Sequence, residues 1–190
     1  FMFYESKLAD PNTSSWVTSS VSSMQRMFEG AVVANPDVSG WDVSNVTSFY
    51  EMFANADMAT PDTSSWITSS LVAVTNMFTG AALANPDVSG WDVSNVEYFS
   101  EMFRDAPMAN PDVSGWNFSA LNSNVWMMNL FSGSNISNLN YSNFLLAADA
   151  TAIISNVNVG TVPAQYQTFS AAAHASLLGD GWIFIDGGPE

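Results

Sequence analysis

Asn85-Pro86-Asp87-Val88-Ser89-Gly90-Trp91-Asp92-Val93-Ser94-Asn95-Val96 occurs a second time, unchanged, at 35–46. Halfway between the copies lies a looser version, Thr63-Ser64-Ser65-Trp66-Ile67-Thr68-Ser69-Ser70, matched by 13–20 with Val17 in place of the isoleucine. Tryptophan is common to all of them: Trp16, Trp41, Trp66, Trp91 and Trp116 stand 25 residues apart. A tandem array at this period is a solenoid, in which a unit cannot close a core alone and buries its apolar side against its neighbours. The additional period of 50 points to duplication of a two-coil block.

Outward from the tryptophans, each unit reads Met-Phe-x-x-Ala-x-x-Ala-Asn-Pro-Asp-Val-Ser-Gly-Trp-Asp-Val-Ser-Asn-Val, with starts near Met2, Met27, Met52, Met77 and Met102. Val46, Phe49, Met52 and Phe53 recur at i, i+3, i+6 and i+7, as do Leu71, Val74, Met77 and Phe78. That spacing predicts one short amphipathic helix per unit. Ser44 or Asn45 would cap its start, and Gly30, Asn55, Gly80 and Asp105 would take the left-handed conformation after its end. Pro36, Pro61, Pro86 and Pro111 then break the chain. Val38 to Val43 reads as a strand, with Trp41 and Val43 on one face and Asp42 on the other.

The expected fold is therefore an α/β solenoid: a short, right-handed, leucine-rich-repeat-like coil array with one strand and one short helix per 25 residues, plus an α/β C-terminal cap. Residues 1–133 form the array. The Met127, Leu130, Phe131, Gly133 motif lies three residues late relative to its predecessors and marks the array's end. Residues 134–190 form the cap, with helices expected at Tyr141 to Ala150 and Tyr166 to Leu178, and strands near 153–159 and Trp182 to Ile185. Phe1-Met2-Phe3 falls inside a repeat, so further repeats or another chain are expected against the N-terminal coil.

Eighteen acids face three bases, for a formal charge of −15. A field of that sign repels phosphate backbones, which excludes nucleic acid as a partner. Charged residues make up only 11% of the chain, against about a quarter in ordinary soluble domains, so the surface is easily desolvated. There is no cysteine, hence neither a disulfide framework nor a thiolate metal site. No apolar run approaches the roughly 20 residues of a membrane-spanning helix, and direct membrane insertion by this segment is not expected.

The repeat resembles the BspA-like leucine-rich-repeat surface proteins, including the mycoplasma-lipoprotein type. Asp87 to Val96 followed by Met102-Phe103 carries the resemblance, together with Tyr141 to Leu146, Tyr166, and Leu178 to Gly188 in the tail. It implies a non-catalytic, extracellular or surface-exposed protein that binds other proteins in adhesion, and it transfers no site residues. Val17 and Ile67 depart from the aspartate that the pattern places after tryptophan.

Three ladders are candidate sites. Val17, Asp42, Ile67, Asp92 and Asn117 follow the tryptophans and should face outward as an exposed strand stripe, which makes them the candidate recognition surface. Asp37, Asp62, Asp87 and Asp112 form an acidic ladder in which a divalent ion such as calcium would relieve repulsion. Local capping of backbone N–H groups accounts for the same aspartates, and no calcium-binding loop motif is present, so no cofactor is expected. The tryptophans themselves suit sugar stacking, against the simpler reading that they are core. His174, the only histidine, lies among alanines, and no pattern activates a nucleophile; the chain does not read as an enzyme.

Two functions remain. One is an extracellular or cell-surface protein-binding module, of adhesion type, whose partner is a protein, including a glycoprotein. The alternative is a structural or accessory subunit permanently docked in a larger assembly, lumenal or otherwise.

Overall fold

The structure, a computed structural model, describes residues 2–123 and 126–190; Phe1 of the expected first repeat lies outside them. Successive copies of the repeat stack through backbone hydrogen bonds that cross from one coil to the next. The N–H groups of Arg26, Phe28 and Gly30 donate to the carbonyls of Tyr50, Met52 and Ala54, and those of Glu51, Phe53 and Asn55 donate to Thr75, Met77 and Thr79, all at 2.8 to 3.0 Å. Parallel bridges Ser23 to Ser48, Ser48 to Ala73 and Ala73 to Tyr98 lie in the same ladder.

This ladder occupies the segment where a helix was expected, and no helix or extended strand forms among the described residues before Asn138. The apolar spacing of three arises instead from consecutive tight turns. Val46 N–H donates to Val43, Met52 to Phe49, Ala56 to Phe53 and Ala59 to Ala56, so both ends of each turn point inward. Turns and helices share the i, i+3 relation; only the helix requires i to i+4 bonds. The helix is interrupted at Arg26, Glu51, Asn76 and Glu101, each at φ between 53° and 59° in the middle of the pattern.

The Val38 to Val43 segment is likewise not a strand. Trp41 N–H donates to the Val38 carbonyl at 3.1 Å, closing a turn. The inward and outward sides nevertheless follow the expected alternation: Val38, Trp41 and Val43 are buried while Asp42 is exposed.

Inside the coils, like residues stack on like. Phe28, Phe53, Phe78 and Phe103 form a column with ring centroids 5.5 to 5.8 Å apart and nearly parallel planes. Each such pair adds about 0.5–1.5 kcal/mol to its area burial. Trp16 stacks on Trp41 and Trp66 on Trp91, and Phe49 sits beside both Trp66 and Trp91, at 4.9 and 6.1 Å. The indole N–H of Trp41, Trp66, Trp91 and Trp116 donates to the carbonyl of Thr13, Val38, Thr63 and Val88, each in the preceding coil. Burial of an indole is thereby reconciled with its polar edge. The residues before the prolines make a further column: Asp10, Asn35 and Asn85 side chains accept from the N–H of Asn35, Thr60 and Asn110.

At the array's end the inter-coil offset lengthens. Phe78 bonds to Met102, 24 residues on, whereas Phe103 bonds to Leu130, 27 residues on, so the three extra residues are accommodated without breaking the ladder. Asn110 then accepts from Ser137 N–H. Ser137 in turn caps helix α1, Asn138–Thr151, by accepting from Asn140 N–H at 3.2 Å. Tyr141, Phe144, Leu145 and Ala148 give α1 its buried face. Strand β1, Asn158–Thr161, pairs in parallel with β2, Ile183–Ile185. Helix α2, Ala171–Gly179, follows a 3-10 turn at Thr168–Ser170. Two helices and two strands follow one another in the tail in the expected order, but the strand expected near 153–159 overlaps the observed one by only two residues. α1 begins three residues early at Asn138, where Ser137 caps it, α2 starts at Ala171 rather than Tyr166, and β1 begins later than expected, at Asn158. Trp182 donates to the Ile154 carbonyl, repeating the tryptophan bond of the array inside the cap.

Candidate binding surface

The acidic ladder is assembled by local turns. Oδ1 of Asp37, Asp62, Asp87 and Asp112 accepts from the backbone N–H of Ser39, Ser64, Ser89 and Ser114 at 3.0 to 3.1 Å. The serine hydroxyl adds a second bond to the same oxygen of Asp37, Asp62 and Asp87. These bonds favour the ionised form, so the Ser64 and Ser89 hydroxyls and N–H groups hold Asp62 and Asp87 below the usual carboxylate range. Among the described residues, no group of three or more His, Cys, Asp and Glu converges as a metal site needs.

Val17, Asp42, Ile67, Asp92 and Asn117 are all exposed, but they stand between successive turns, not on a strand. Asp42 and Asp92 repeat the local motif, accepting from Ser44 and Ser94 N–H and hydroxyl, and are lowered in pKa by those bonds. Asn117 accepts from Ser119 N–H. The stripe is therefore mostly self-satisfied polar turns with two apolar interruptions. Asp42 and Ile67 do meet, in an open groove of about 250 Å³ that Ser39, Gly40, Trp41, Val43 and Ser65 complete. The tryptophans offer no sugar platform along the array, since Trp41, Trp66, Trp91 and Trp116 are buried. The threonines facing them are buried too: Thr13 and Thr63 hydroxyls donate to the carbonyls of Asp37 and Asp87 at 2.6 Å.

A more regular surface was missed. Leu8, Val33, Met58, Leu83 and Met108 occupy one position of every coil, and each is between 38% and 90% exposed. In the repeat this is the second variable residue between two alanines. No single amino acid fills it in every coil, so identity hid what chemistry shows: the position is Leu, Val or Met five times of five. The flanking alanines, such as Ala31, Ala34, Ala56 and Ala59, are fully buried, so the chain bulges outward at this point and the larger side chain faces solvent. Asp37, Asp62, Asp87 and Asp112 follow four residues later on each coil, and Glu5, Asp57 and Asp105 lie one to three residues before the column.

Two of the three cations are engaged within the stack. Arg26 pairs with Glu51 at 2.6 Å and Glu29 at 3.4 Å, and its guanidinium lies over Tyr50. Arg104 pairs with Glu101 and Asp105. Of the acids near the aliphatic column, Asp105 is thus paired with Arg104, while Arg26 pairs with Glu29 and Glu51, away from the aspartate ladder.

In the cap the structure gathers residues that the sequence left scattered. Asp186 accepts from the Tyr141 hydroxyl at 2.5 Å, and its Oδ2 lies 3.1 Å from His174 Nε2. Tyr166 stacks on the imidazole at 4.2 Å and Phe184 lies 5.3 Å away. Burial, and then Asp186, push the Tyr141 hydroxyl far above its ordinary value. The cluster ties α1 and α2 to the segment after β2, and aromatic rings close over it.

These features define a repeat protein of stacked 25-residue coils with an α/β end. The chain belongs to the family described as Mycoplasma protein of unknown function, DUF285, whose model matches residues 1–86 and 60–144. No curated protein and no solved structure matches the chain. No helix among the described residues is long and apolar enough to cross a membrane.

Proposed function

We propose that this chain is a non-catalytic protein-binding module of adhesion type, acting outside the cell or at its surface, and that its coils form a solenoid of the leucine-rich-repeat kind. The observation that carries the reading is the unbroken column Leu8, Val33, Met58, Leu83 and Met108. Isolated exposed aliphatics are ordinary, but a contiguous row is a contact surface. The resemblance to BspA-like surface proteins supports the extracellular setting, and the family match agrees with that kinship. No residue is assigned a catalytic role, and no cofactor is assigned.

The same column also suits the second reading, a subunit whose face is permanently covered. Native mass separates the two. The protein recovered gently from its source is expected as a lone or surface-tethered species that binds its partner reversibly through the column. A fixed set of stoichiometric neighbours would replace adhesion by the subunit reading, and a partner bound unchanged after Val33→Ser, Met58→Ser and Leu83→Ser together would remove the column from either.

A further inference from the structure

We infer that the aliphatic column docks a basic amphipathic α-helix of about four turns, which rests on the protein-binding reading above and names the class of its partner. Three observations select this occupant: the column's width, its repeat distance and the charge beside it.

The column is one side chain wide. Leu8, Val33, Met58, Leu83 and Met108 are exposed, whereas two residues later Asp10, Asn35, Thr60, Asn85 and Asn110 supply only polar groups. A single apolar row between polar margins matches the stripe of one amphipathic helix and is too narrow for a sheet face.

The repeat distance agrees. Parallel ladders place neighbouring coils about 4.8 Å apart, so five coils set their column residues over about 19 Å. A helix presents one apolar side chain per turn of about 5.4 Å and spans four intervals in about 22 Å. A strand laid along the column offers a same-face residue only every ~6.7 Å and runs to about 27 Å over the same four intervals. The helix stays nearly in step, one anchor to each coil; the strand does not.

Charge fixes the sign. Asp37, Asp62, Asp87 and Asp112 follow the column residue by four positions in successive coils, whereas the residues before it are mixed: Asp57 adjoins Met58, but Lys7 adjoins Leu8 and Asp105 is paired with Arg104. Asp62 and Asp87 are held ionised by their serine bonds. Lys or Arg on the helix shoulder beside the aspartate ladder would face carboxylates. A second copy of this chain is disfavoured, because each copy carries a formal charge of −15, and anionic lipid is repelled for the same reason.

The test is fluorescence anisotropy of the intact chain with a labelled 16-residue Leu/Lys peptide whose leucines recur at i, i+3, i+4 and i+7. Controls are a scrambled peptide of the same composition and a Leu/Glu version with the same apolar stripe. Saturable binding of the first peptide alone is expected, weakening about tenfold or more in the Val33→Ser, Met58→Ser, Leu83→Ser variant and falling with salt. Equal binding of the scrambled peptide, or an unchanged affinity in the triple variant, overturns the proposal. Because these side chains are exposed, the variant should retain its fold, and its unfolding midpoint is measured alongside. Sedimentation of the chain alone and flotation with zwitterionic vesicles complete the set: a dimer or a vesicle complex abolished by the triple variant would assign the column to a second copy or to lipid and overturn the helix. If the peptide fails while a native partner is lost in the triple variant, the helix is wrong and the protein-binding surface stands.

Discussion

Oδ1 of Asn55 occupies the space that a β-carbon on Gly80 would require. Both residues are left-handed, at φ 55° and 68°, and they stack in one column with Glu5, Gly30, Asp105 and Gly133. Glycine alternates with a side-chain-bearing residue along that column because each side chain lies over the next coil. Asp105 covers Gly133 in the same way, its Oδ1 lying 2.5 Å from where a β-carbon on Gly133 would stand.

Gly80→Ala is therefore expected to lose about 2–4 kcal/mol of stability, combining left-handed strain with overpacking against Asn55. Gly40→Ala, whose β-carbon would meet nothing within 4 Å, should stay within about 0.5 kcal/mol. Adding Asn55→Gly to Gly80→Ala should return part of the loss. Urea denaturation of the four proteins checks this; equal losses at Gly40 and Gly80 would refute the interlocked column.

The tryptophan bonds lead to a second expectation. The Thr63 carbonyl accepts from both Trp66 N–H and the Trp91 indole, so Trp91→Phe leaves it one partner and should cost about 1 kcal/mol. Trp91→Ala opens a cavity in the core and should cost about 3–5 kcal/mol. Trp16, only half-buried in the first coil, should be the least sensitive of the series. Midpoints of chemical unfolding give the order.

Acid stability should depend on the serine-capped aspartates. Asp42, Asp62, Asp87 and Asp92 have lowered folded-state pKa values. Their contribution is present above the unfolded value of about 3.9 and is lost as pH falls through the folded values. Replacing Ser44, Ser64, Ser89 and Ser94 by alanine should flatten the fall in Tm below about pH 4. Glu29 works in the opposite sense: burial, and then Glu51, raise its pKa. Wild type should therefore gain stability relative to Glu29→Gln as pH drops from about 7 towards about 4. Thermal melts across pH resolve both slopes.

In the cap, Tyr141→Phe removes a hydrogen bond to a carboxylate and should cost about 1.5–3 kcal/mol. The raised Tyr141 pKa means that this phenol should not ionise in the folded chain. Absorbance at alkaline pH should show it titrating only with unfolding, and Tyr141→Phe should delete that component.

The coil period, the burial of the tryptophans and the left-handed positions at Gly30, Asn55, Gly80 and Asp105 were legible in the sequence, because each repeats an amino acid or a small set with one physical role. The local elements were not. Val46, Phe49, Met52 and Phe53 satisfy a helix and a succession of tight turns equally, and the decision falls to Glu51, whose left-handed φ nothing in a glutamate announces. Asp42 and its equivalents were correctly placed outside, but their serine partners make them self-contained. The aliphatic column went unread because five positions shared among three residue types look like variation until burial shows that all face out. Tyr141, His174 and Asp186 meet only through the packing of the cap, at separations no spacing rule encodes.

Methionine oxidation, read by mass spectrometry after brief peroxide exposure, tests both the fold and the docking column in one experiment. The account predicts rapid oxidation of Met58 and Met108 in the free chain while Met24, Met52, Met77 and Met102, buried in the stack, resist. It predicts further that Met58 and Met108 become protected when the partner is bound, while Met2 and Met128, exposed away from the column, stay reactive. Oxidation of Met52 and Met77 as fast as Met58 would contradict the stacked coils, and unchanged oxidation of Met58 and Met108 in the complex would contradict the column as the docking surface.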